Sequence, residues 1–160
     1  MDIRNLTFSS ARVAEAAGMT HVHFRALLSR GGWQIVGHGR PAAGSGRGHA
    51  FTVIDALGYA VAFRLLRMGA PSALAFQLGV EDCAYLGASF TDPLLRPQGE
   101  NAAWFVYYPW VERKEASLFI GGPRDKVAGF FEIMRGAEAV VLDLFGIRDQ
   151  VFASLGVEIE

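Results

Sequence analysis

Apolar residues recur at three- and four-residue intervals through the first half of the chain and give way to alternation in the second. Within "SSARVAEAAGMTHVHFRALLSRGG" (residues 9–32) two short amphipathic helices are separated by one glycine. Ser9 or Ser10 can cap the first, and Thr20 the second. Val13, Ala14 and Ala17 form the inner face of the first helix, Gly18 makes the turn and Met19 fills the corner. Phe24, Leu27 and Leu28, at i, i+3 and i+4, point the second helix into the same core. Residues 33–36 and 49–51 then read as two strands flanking the loop "GHGRPAAGSGRGH", and Thr52 with Asp55 opens a helix of about four turns as a variant capping box. Gly69 and Pro71 end that helix and begin the next, with Pro71 in the first turn.

Beyond residue 80 the helical period fades, and residues 91–101 read as a linker or long loop. "AWFVYYPWV" (residues 103–111), a polar "ERKEA" and "SLFIG" form a hairpin pattern. Residues 137–144 suggest one more strand, and "GIRDQVFASLG" a closing helix with Ile147, Val151 and Leu155 on one face. The expected architecture is mainly α with α+β: an N-terminal domain over residues 1–80, a linker over 81–101 and a small α+β module over 102–160.

Charge sharpens that division. Residues 1–75 carry eight arginines, no lysine and three carboxylates, whereas residues 76–160 carry seven Lys or Arg and thirteen Asp or Glu. Arginine suits phosphates and guanine edges because its planar fork donates in pairs. The high apolar content excludes a disordered chain, and runs such as "GYAVAF" are too short to span a bilayer. The amino-terminal residues lack the layout of a secretory leader, so a cytoplasmic, nucleoid-associated protein is expected.

All four histidines lie between residues 21 and 49, which raises the question of a metal. His21 and His23 stand about 200° apart around a helix and cannot chelate one ion from one face. Cys83 is the lone cysteine, so a cysteine-based zinc site and a disulfide framework are both excluded, and no metal or cofactor is expected. No nucleophilic triad, phosphate loop or paired-carboxylate frame stands out, and "GSGRG" lacks the Lys-Ser/Thr ending of a phosphate cradle. An enzyme is not expected.

With Phe24, Leu27 and Leu28 inward, Thr20, His21, Val22, Arg25 and Ser29 are left on the outer face of the second helix, a mixture suited to base edges in a major groove. His23 lies nearer the flank, either at phosphate or packed. The sequence "FSSARVAEAAGM", "THVHFRALLSRGGW", "GRGHAFTVIDAL" and "MGAPSALAF" resembles, in order and spacing over about residues 6–79, the winged helix–turn–helix of MerR-type transcription regulators and their phage-borne relatives. The resemblance implies a recognition helix carrying Thr20, His21 and Arg25 and a wing carrying Arg40 and Arg47; Val22 on the outer face and the cations Arg12 and Arg30 are expected as further DNA contacts. No sustained heptads follow, and ligand cysteines are absent, so metal sensing is not carried over.

The expected activity is sequence-specific transcription regulation by a homodimer on double-stranded DNA, since one short helix buries too little for selective binding. The alternatives are a phage-type DNA-packaging or recombination accessory and a protein-interaction module that never meets DNA. In the tail, Trp104, Tyr107, Tyr108 and Trp110 are either the core of a small domain or a partner interface. Alternation sends Trp104, Val106 and Tyr108 to one face and Phe105 and Tyr107 to the other, so one face of the strand is expected to stay open to a second copy or a protein partner.

Overall fold

A computed structural model of the chain describes residues 3–30, 32–35, 50–86, 94–108, 117–126, 129 and 139–159. A 3₁₀ turn, Ile3–Asn5, leads into β1 (Thr7–Phe8), α1 (Ser10–Ala16) and α2 (His21–Arg30). There follow β2 (Phe51–Thr52), α3 (Val53–Arg67), α4 (Ser72–Phe76) and a π-helical segment, Gln77–Leu86. Strands β3 (Asn101–Tyr107), β4 (Ser117–Pro123) and β5 (Val140–Asp143) and the closing helix α5 (Leu144–Leu155) complete the described elements. The fold is mixed α+β.

Local chemistry explains where the first helices start and stop. The Ser9 side chain accepts from the Arg12 N–H and caps α1. At the other end the Gly18 N–H donates to the Glu15 carbonyl and the Met19 N–H to the Ala14 carbonyl, each at 2.9 Å. That double closure needs a left-handed residue between helix and turn, and Gly18 supplies it at φ 82°. Thr20 Oγ1 then accepts from the His23 N–H at 3.2 Å and opens α2. The turn is a sequence-encoded object, closed within six residues.

The central element is α3. Eleven of its fifteen residues are buried, so it is apolar on nearly every side and has helices packed around it. Its entry is the expected capping box: Asp55 Oδ2 accepts from the Thr52 N–H at 2.5 Å and from the Thr52 hydroxyl at 3.0 Å, while Thr52 Oγ1 accepts from the Asp55 N–H. Burial of Asp55 is therefore compensated by donors at the helix start. Pro71 stands one place earlier than expected, as the N-cap of α4 rather than within its first turn.

Three features differ from the sequence expectation. Phe51 and Thr52 pair antiparallel with Phe8 and Thr7, a partner strand too short to leave a period of its own. Residues 33–35 are not a strand. Trp33 is instead fully buried, its Nε1–H donating to the Ser72 carbonyl at 3.1 Å and the Ser72 hydroxyl at 3.0 Å. Tyr59 donates its hydroxyl to the Trp33 carbonyl at 2.8 Å, and the two rings stack beside Phe76. Finally, the helical run continues through Leu86, and Leu94 and Leu95 are buried core residues inside the stretch expected to be linker.

The second sheet has the order β4-β3-β5, antiparallel throughout, with Trp104 opposite Ile120 on one side and Asp143 on the other. Helix α5 packs against β3 and also against α1 and α3. One apolar cluster accordingly runs from Val13 on α1 through α3 to Phe105, Tyr107, Val151 and Val157. Arg148 joins the elements further: its guanidinium donates to the Arg96 carbonyl at 2.9 Å, pairs with Asp149 at 2.6 Å and lies 4.6 Å from the Phe145 ring centroid. Arg64 on α3 donates to the Ala60 carbonyl and to the Gln150 side chain on α5; burial, and after it the neighbouring Arg67 cation, lowers its pKa below the ordinary guanidinium value.

Candidate nucleic-acid interface

The second helix of the pair presents one face to the core and one to solvent. Phe24 and Leu27 are buried, Leu28 is half-buried, and Phe24 meets Tyr59 edge-on at 4.8 Å and Phe51 at 5.6 Å. Those contacts fix the rotation of α2, because each step along a helix turns about 100°. The direction opposite the core then falls on Val22, Ala26 and Ser29, with Arg25 to one side and Arg30 to the other. All five are exposed, and Val22 reaches 80%. Helix α2 carries no acidic residue.

Thr20 is exposed but occupied as the cap. His21 is exposed, and its Nε2 shares a hydrogen bond of 2.9 Å with Ser10 Oγ, which draws the ring toward the start of α1. His23 packs its ring edge-on against Phe63 at 5.6 Å, so of its two expected roles the structure displays packing. Among the described residues Arg25 and Arg30 have no acidic partner, so both cations are available to a ligand.

Arg12 is a different case. Its Nη2 donates to the Ser154 carbonyl near the end of α5 at 2.6 Å, and Nη1 lies 3.5 Å from Glu15. The side chain remains half-exposed, yet its head group is engaged within the molecule. Sequence spacing offers no signal of that contact, because its partner is a backbone carbonyl 142 residues away. Ala26 is a further member of this face that the expected set lacks, although its place one turn beyond Val22 signals it.

Arg40 and Arg47, with the rest of the expected wing at residues 36–49, lie outside the described residues. Trp110 does as well. Trp104 and Tyr108 are half-buried, whereas Tyr107 is 2% exposed and belongs to the core. The expected open face of β3 is closed at Val106, 0% exposed, and at Ala102. A central strand reading as a nearly continuous apolar run suits burial on both sides better than burial on one.

Compared with models of known protein families and with the curated proteins, the chain matches none. The functional reading therefore rests on the residues themselves. Among the described residues no group of three His, Cys, Asp or Glu is placed to hold a metal ion, and no helix is long and apolar enough to cross a membrane.

Proposed function

We propose that this protein is a sequence-specific DNA-binding transcription regulator of the winged helix–turn–helix kind, acting as a homodimer rather than as an enzyme. The observation that carries the reading is the outer face of α2: exposed Val22, Arg25, Ala26, Ser29 and Arg30 on a helix without a carboxylate, held in fixed rotation by Phe24 and Leu27. A helix of this kind fits the major groove, where its first turns meet base edges and its cations meet guanine or phosphate. The arginine-rich first half of the chain supplies the long-range attraction to the phosphate backbone.

In this reading Arg25 is the base-reading cation, Arg30 contacts phosphate, and Arg40 and Arg47 on the wing meet the backbone or minor groove. Arg12 exchanges its Ser154 carbonyl for a phosphate, or stays a clamp between α1 and α5. The test is a selection of duplexes from the protein's own genome with the full chain, followed by titration at several salt concentrations. The full chain is needed because α5 closes the core beneath α1 and α3. Arg25→Ala is expected to abolish selectivity. Arg40→Ala and Arg47→Ala should each weaken binding to all sequences alike and reduce the salt slope by about one. Absence of binding to any genomic fragment, or binding indifferent to salt, would overturn the proposal.

A further inference from the structure

Val22 stands out on the proposed reading face. A large apolar side chain at 80% exposure is unusual in a molecule whose other described valines in the first half, Val13, Val53, Val61 and Val80, are all at 1% or less. Nothing in the packing asks for it: the core side of α2 is already filled by Phe24 and Leu27, and Val22 points the opposite way. Its neighbour His21 is held by Ser10, which leaves Val22 the foremost side chain of the first turn. Arg25 follows on the adjoining face of the same helix. Three residues of helix advance about 4.5 Å, close to one base-pair step of about 3.4 Å, so the two side chains address neighbouring base pairs.

From this juxtaposition we infer that Val22 reads the C5-methyl group of a pyrimidine in the major groove, thymine or 5-methylcytosine, next to the base pair taken by Arg25. The inference rests on the reading of α2 as a groove-binding helix. A valine has neither donor nor acceptor, so against the amino group of adenine or cytosine it buries a polar group unpaired. The pyrimidine methyl is the one major-groove feature that an apolar side chain matches. The absence of carboxylates on α2 and the free cations at Arg25 and Arg30 supply the charge complementarity that brings the helix close enough.

The experiment takes the tightest duplex selected with the full-length protein and replaces each thymine singly by deoxyuridine, which removes the methyl and leaves Watson–Crick pairing intact. At one position, beside the guanine whose loss mimics Arg25→Ala, affinity is expected to fall about three- to fivefold, the effect of uncovering one apolar carbon. At that position a cytosine duplex should gain a similar factor on conversion to 5-methylcytosine if the methyl alone is read. A response to thymine only assigns the site to the T·A pair. Val22→Ala, at an exposed position where folding is not at stake, should bring the thymine-to-uracil ratio close to one. Two results overturn the inference while leaving the DNA-binding reading intact: selective, Arg25-dependent binding with no methyl-sensitive position, or methyl sensitivity undiminished in Val22→Ala. Failure to recover any selective duplex removes both.

Discussion

Substituting Gly79 by alanine tests how the core is assembled around α3. An alanine Cβ at residue 79 would overlap the Ala62 nitrogen and sit 2.7 Å from both its Cα and Cβ. Ordinary contact begins near 3.4 Å, so the π-helical segment and α3 must separate by at least about 0.7 Å. Two of the three clashing atoms are backbone, in the middle of a helix whose remaining faces are packed, so no side chain can turn away. Overpacking of this severity costs about 3 kcal/mol, and alanine's better helix propensity returns about 1 kcal/mol, leaving a net loss of about 2 kcal/mol. In urea the midpoint should fall by about 1 M with little change of slope, and the melting temperature by about 4–8 °C. Ala62→Gly in the same background should restore only part of the loss, because the nearest atom is the Ala62 nitrogen, which that change leaves in place. A loss below about 0.5 kcal/mol would refute the close crossing. So would complete rescue by Ala62→Gly.

Gly18→Ala makes a contrasting case: no atom lies within 4 Å of the new Cβ, so only the left-handed backbone at φ 82° opposes it, and chemical denaturation should show a loss of about 1–2 kcal/mol, less for Gly18→Asn. Tyr59→Phe removes the hydroxyl that satisfies the Trp33 carbonyl and should cost about 1–2 kcal/mol in thermal unfolding. Thr52→Ala strips the capping box and takes a hydroxyl donor from buried Asp55; a loss of about 1–2 kcal/mol is expected, whereas Thr52→Ser should retain most of the stability. Arg148→Met keeps the apolar stem but releases the Arg96 carbonyl, so amide exchange should quicken in residues 94–98 while the centre of α3 stays protected.

Where a structural feature depends on residues three or four apart, it was legible in the chain. The cap at Ser9, the glycine turn at Gly18, the Thr52–Asp55 box and the inward triplet Phe24, Leu27 and Leu28 all belong to this kind. So did the antiparallel hairpin of the tail and its closing helix, because strands announce themselves by β-branched and aromatic runs and helices by their period. The rotation of α2, and with it the exposure of Val22 and Arg25, follows from the same local pattern.

Contacts between distant residues left no such trace. The β1–β2 pairing, the Arg12 clamp on Ser154, the close passage of Gly79 over Ala62 and the burial of Leu94 depend on which surfaces meet after the elements form. The period of a helix states which side is apolar but not what covers it, and a lone glycine looks the same at a turn as at a crossing. By itself the sequence determined helices α1, α2, α3 and α5, the caps at Ser9, Thr20 and Thr52, and which side of α2 faces outward. Tertiary structure decided that α5 closes over α1 and α3, that Tyr107 and Val106 belong to the interior, and that His21 and Arg12 are engaged within the molecule, because each of these depends on which distant surfaces meet.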